Sequence, residues 1–205
     1  MMNQKPPIES WDRNEKEATK LLREAAQEVV PVPVERIAKY LGAQVQFAPF
    51  EGDLSGLIYR EEDDEGQLVA TIIGINSSHA PTRRRFTLAH EIGHLRLGHL
   101  DGTGIGQMHI DRKFLFKARN ARSAQAIDPQ EIDANAFAAA LLMPAKLLRE
   151  DFKRFRIDSF EVFDYEDDEL ASALAERYKV SLQAMLIRLY RLGLIEQLDN
   201  SPKPD

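Results

Sequence analysis

Arg85-Phe86-Thr87-Leu88-Ala89-His90-Glu91-Ile92-Gly93-His94 is the stretch on which the reading of this chain turns. It reads as a helix, and on a helix residues four apart lie within about 40° of one another. His90 and His94 therefore offer two imidazole nitrogens to a single point, with Glu91 beside them. That is the H-E-x-x-H pattern of zinc peptidases, in which the histidines hold the metal and the glutamate is the general base. A chance match is the plain alternative, so the weight falls on what the rest of the chain supplies.

A catalytic zinc site needs three protein ligands and a position left open. Downstream, Asp128-Pro129-Gln130-Glu131-Ile132-Asp133-Ala134-Asn135-Ala136-Phe137 opens a second helical segment that runs on to Pro144. Asp128 suits the N-cap and Pro129 the first helical position. Glu131 and Asn135 share a face of that helix. Glu131 is the expected third ligand, and Asn135 the expected partner that orients a ligand histidine. The plain reading of Glu131 is a capping box with Asp128.

Other donors fit less well. The longer peptidase pattern needs Gly at 97 and His at 100, where this chain has Leu97 and Leu100. In a continued helix His99 lies about 140° from His94, and Gly98 is expected to close the helix before it. Asp133 falls about 200° from Glu131 and faces away. His109 sits in a segment of unknown course and stays an alternative donor.

The two segments together, Arg85–His94 and Glu131–Pro144, resemble the ImmA/IrrE family of metallo-endopeptidases, and the tail Val180–Leu194 is similar to that family's helical C-terminal part. The resemblance implies a zincin-like fold, one Zn2+ per chain, and endoproteolysis of a helix-turn-helix transcriptional repressor or antitoxin-like regulator. It carries metal ligation onto His90, His94 and Glu131, and the catalytic role onto Glu91. Some relatives have a further sensor domain. This chain is not expected to carry one, so sensing is expected through a partner or its own surface.

The remainder is consistent with an α+β protein: a zincin-like core with a small sheet of about three strands packed on helices. Residues 1–148 are expected to form the peptidase domain, with the metal-site core at 68–144. Residues 149–200 form a helical, helix-turn-helix-like region packed on or beside it. An amphipathic helix is expected from about Arg13 to Val29, a short helix from Pro33 to Gly42, and strands at Ala43–Pro49, Leu54–Arg60 and Leu68–Ile75. The third strand precedes the metal helix. If it lies at an edge, Val69, Thr71 and Ile73 can pair with an extended substrate by strand addition; if interior, they cannot.

With 205 residues, 43% hydrophobic, the chain can bury a substantial core. The absence of cysteine excludes a disulfide framework and thiolate ligands. No signal-peptide run opens the sequence and no apolar stretch matches a membrane span, so the cytoplasm is expected. A net charge of −6 speaks against direct nucleic-acid binding. From Arg83 to Arg122, however, nine basic residues stand against three acidic ones. Lys117, Arg119 and Arg122 in that stretch are candidate substrate contacts, the plain reading being a solvated face. The alternative function is a non-cleaving zinc-containing protein that sequesters a regulator. Glu91 weighs against it, since a binder has no use for the base.

Overall fold

The computed structural model describes residues 8–52, 54–65, 67–100, 108–111, 128–159 and 167–195. Its helices are α1 (Ile8–Glu24), α2 (Val34–Tyr40), α3 (Pro81–Arg96), α4 (Pro129–Leu142), α5 (Ala145–Ser159), α6 (Asp167–Tyr178) and α7 (Leu182–Arg191). Its strands are β1 (Ala43–Ala48), β2 (Gly56–Glu62), β3 (Leu68–Asn76) and β4 (Met108–Asp111). The α+β class is as expected, and the sheet has a fourth strand beyond the three anticipated.

Strand order is β1-β3-β2-β4. β1 runs parallel to β3, while β2 is antiparallel to both β3 and β4. β3 is thus interior. Thr71 pairs with Ala43 on one side and Arg60 on the other, and Ile73 with Val45 and Ile58. The edge alternative for substrate pairing along Val69, Thr71 and Ile73 is therefore corrected: the ladder on both sides of Thr71 and Ile73 is already taken. Ile73 is also fully buried, whereas Val69 is exposed on the hairpin beyond the end of β1.

Two helices occupy the centre. In α3 every residue from Thr87 to His94 is buried, and in α4 so are Ala134, Ala136–Ala138 and Ala140–Leu142. A helix buried on most of its faces needs small side chains where it meets a neighbour. Gly93 and the alanines of α4 meet that need. A Cβ on Gly93 would come within 3.2 Å of the Cα and carbonyl oxygen of Ala134, so the two helices are in backbone contact there.

α1 begins and ends earlier than the sequence pattern suggests. It stops at Glu24, Ala26 takes φ +51°, and Val29 is half exposed. The helix lies along α4 and straps the core. Asp133 accepts from Arg13 Nη2 at 2.6 Å and from Asn14 Nδ2 at 2.9 Å. Glu17 and Glu24 both pair with Arg96 at the end of α3. Glu15 receives Arg188 Nη2 at 2.7 and 2.8 Å, and the same buried guanidinium donates to the carbonyl of Met143 where α4 ends.

α6 and α7 form the expected helical pair. Lys179 turns the chain with φ +53°, the Ser181 hydroxyl caps α7 by accepting from the Ala184 amide, and Gly193 closes it at φ +66°. Asp151 of α5 accepts from Arg177 and from the Tyr178 hydroxyl. Burial and that hydrogen bond push the Tyr178 phenol well up, so it stays a neutral donor. A single cluster of buried side chains runs from Ala18 to Leu189. Among the described residues no helix is long and apolar enough to cross a membrane.

Candidate metal centre

α3 and α4 each bring part of the site. Pro81 starts α3 at a position where its missing N–H costs nothing. Two turns later His90 and His94 are wholly buried on one face. α4 starts with the Asp128 carboxylate accepting from the Gln130 amide, so the cap is made without Glu131. The Glu131 side chain instead reaches α3.

Its Oε2 lies 3.3 Å from His90 Nε2, and its Oε1 lies 3.2 Å from His94 Nε2. The two Nε2 atoms are 2.9 Å apart. Four-coordinate zinc with bonds of about 2.0–2.1 Å sets its donors about 3.3–3.4 Å from one another. The two sides of the donor triangle that run to Glu131 match that spacing and the side between the imidazoles is shorter; two imidazoles with a carboxylate are a donor set that zinc accepts. Among the described residues these three form the one group of His, Asp or Glu side chains so disposed.

Glu91, next to His90 on α3, is fully buried. The start of β2 lies against it: a Cβ on Gly56 would sit 2.7 Å from Glu91 Oε1 and 2.5 Å from Thr87 Cγ2. The strand is held in that position by contacts to the two residues just before it. Arg83 Nη2 donates to the buried Ser55 hydroxyl at 2.8 Å, and the Asn76 side chain donates to the carbonyl of Leu54 at 2.8 Å.

Other expectations land differently. Asn135 is half-buried, and its Oδ1 accepts no hydrogen bond among the described residues. The neighbour of His94 is His99, which the sequence reading set aside. Its Nδ1 is 3.0 Å from His94 Nδ1. The signal was present as a glycine four residues after His94, followed by a histidine. His109 falls on β4, opposite Ile58. Lys117, Arg119 and Arg122 lie outside the described residues.

Residues 38–190 match the family model for the IrrE N-terminal-like domain, peptidase family M78. Over 85 residues the chain is 42% identical to the radiation response metalloprotease IrrE of Deinococcus deserti and 38% identical to that of Deinococcus radiodurans. Each match takes in 41% of this chain, but 26% and 23% of those relatives. The chain therefore aligns with about a quarter of the length of the curated relatives it matches. A solved chain described as a Mycobacterium tuberculosis transcriptional regulator superposes with a TM-score of 0.50 at 16% identity, covering 88% of this chain and 48% of that one. At that identity the likeness is one of fold.

Proposed function

We propose that this chain, which belongs to the IrrE N-terminal-like peptidase family M78, is a zinc-dependent endopeptidase acting on a regulatory protein. One observation carries the reading: His90 Nε2, His94 Nε2 and the Glu131 carboxylate converge on one point, with Glu91 buried beside them.

A zinc ion held by those three residues would supply Lewis acidity, polarising a carbonyl and bringing the acidity of water near neutral pH. The remaining work falls to the chain's own groups. The Glu91 carboxylate accepts the proton of the attacking water and delivers it to the leaving nitrogen as the C–N bond breaks. Glu131 contributes one negative charge and the two imidazoles none, so a divalent ion held there would keep one positive charge with which to favour the oxyanion. Thr87 and the backbone at Gly56 confine the Glu91 side chain, which limits the positions its carboxylate can take.

The substrate class we propose is a helix-turn-helix transcriptional repressor or a similar regulator, as the family resemblance implies, met in the cytoplasm. Lys117, Arg119 and Arg122 are the proposed docking contacts, because cations outnumber anions from Arg83 to Arg122 and favour an acidic partner segment.

The test is reconstitution with zinc, followed by incubation with candidate small helix-turn-helix regulators encoded beside this gene. The expected result is one zinc per chain and cleavage of one partner, with Glu91→Gln retaining zinc and losing cleavage by about 100-fold or more. A Glu91→Gln protein that cleaves at the wild-type rate rules out the base assignment. Digestion of casein as fast as of any regulator rules out the narrow substrate class. Charge reversal of Lys117, Arg119 and Arg122 to Glu with no change in partner cleavage removes the docking role.

A further inference from the structure

α3 ends in a way that returns one side chain to the site. Leu97 caps the helix, Gly98 takes φ +73°, and the His99 amide donates to the carbonyl of His94 at 3.0 Å. This is the six-to-one bond of a Schellman turn, which folds the residue after the glycine back over the last turn of the helix. The side chains follow the backbone. Nδ1 of His99 is 3.0 Å from Nδ1 of His94, with ring centroids 5.0 Å apart and planes crossed at 71°.

The other edge of the His94 ring decides the chemistry of that contact. His94 Nε2 faces His90 Nε2 and Glu131 Oε1. An imidazole that gives the Nε2 lone pair to a metal keeps its proton on Nδ1 and must donate there. Nδ1 of His99 is then the acceptor, and His99 carries its own proton on Nε2. Ligand histidines nearly always donate their second N–H to a carboxylate, a carbonyl or water, which fixes ring orientation and tautomer. A neutral imidazole does the same without adding negative charge. A carboxylate there would cancel the single positive charge left by Glu131 and a divalent ion.

We propose that His99 is a positioning residue for the metal centre: through the Nδ1–Nδ1 contact it holds the tautomer and plane of His94 so that Nε2 stays aimed at the point shared with His90 and Glu131. The role rests on the metal-centre reading above.

The test is Zn2+ affinity of the whole chain, measured by competition with a chromophoric chelator at one pH and salt concentration. Wild type, His99→Phe, His99→Ala and His99→Asn are compared, alongside thermal melting of the metal-free proteins. Phe keeps a ring but has no acceptor, Ala has neither, and the Asn side-chain oxygen stands as many bonds from the backbone as the histidine Nδ1. The expected result is a loss of about 10–100-fold in affinity for His99→Phe and His99→Ala. His99→Asn recovers most of that loss, and all four metal-free proteins melt alike. Wild-type affinity in either acceptor-free variant overturns the role. So does an equal loss in all three variants, which would mark His99 as packing alone. A wild-type chain that binds no Zn2+ overturns the metal centre itself, and this role with it.

Discussion

Gly93 and Ala134 touch through their backbones, and each lies one helical turn from a proposed metal donor: Gly93 three residues after His90, Ala134 three residues after Glu131. The distance from Glu131 to the histidines is thus set by how closely α3 and α4 approach. A Cβ at 93 would meet Ala134 Cα, Ala134 O and Phe137 Cδ1, all at 3.2 Å, and the first two are backbone that cannot turn aside. Ala favours a helix over Gly by about 1 kcal/mol, which works against the clash. Gly93→Val removes that compensation. It should lower stability by about 1–3 kcal/mol and weaken zinc binding with it. Unchanged melting and unchanged zinc affinity in Gly93→Val would show that the close crossing is not what places Glu131.

The three proposed ligands should not be equivalent. His90→Ala and His94→Ala each remove a buried neutral donor and should abolish zinc binding and cleavage together. Glu131→Gln keeps an oxygen in place but loses its charge, so it should retain weakened binding. Elemental analysis after dialysis at fixed free zinc distinguishes them. Full retention of metal by His94→Ala would contradict the ligand set.

Gly56 is expected to matter for rate rather than for metal. Its added methyl in Gly56→Ala would press on Thr87 Cγ2 and on the Glu91 carboxylate, both inside the core. None of the three proposed donors is among the nearest atoms to that methyl. The variant should load one zinc yet show a lower kcat, by about tenfold or more if the carboxylate shifts by even 1 Å. Steady-state kinetics on the zinc-loaded variant check this, and a wild-type kcat would show that Glu91 has room to spare.

Arg188 joins three helices through one guanidinium with 4% of its side chain exposed. Arg188→Ala strands the Met143 carbonyl and leaves Glu15 to water, which it can reach. The loss should be about 2 kcal/mol, or a fall of about 4–8 °C in Tm. Arg188→Lys should recover only part of it, since one ammonium cannot span Glu15 and Met143 as the fork does. A melt of Arg188→Ala within 1 °C of wild type, on the order of experimental error, would show the junction to be slack.

What the sequence makes legible is local. The helix carrying His90 and His94, the Asp128–Pro129 start of α4, the Ser181 cap and the Gly193 stop are all written in neighbouring residues. Strand order is not. Whether Leu68–Asn76 lies at an edge depends on where Ala43–Ala48 docks, which no pattern within the strand specifies. β4 is four residues long, too short for an alternation to register, and it exists through its pairing with Gly56–Tyr59. The sequence marks Gly98 as the end of the helix but does not say where the side chain after that turn is aimed, so His99 is not legible as a neighbour of His94. The geometry that matters there belongs to the turn.

The strap formed by α1 has a consequence for how this unit can be exchanged. The family match begins at residue 38, yet Arg13, Asn14, Glu15, Glu17 and Glu24 hold Asp133, Arg188 and Arg96 inside the matched region. A chimera that swaps everything before residue 38 for another protein's N-terminal segment would lose Glu15 from Arg188, Glu17 and Glu24 from Arg96, and Arg13 and Asn14 from Asp133. The first helix and the later ones are therefore heritable only as a set, and a graft drawn at the family's own border would cut through the protein's fastening.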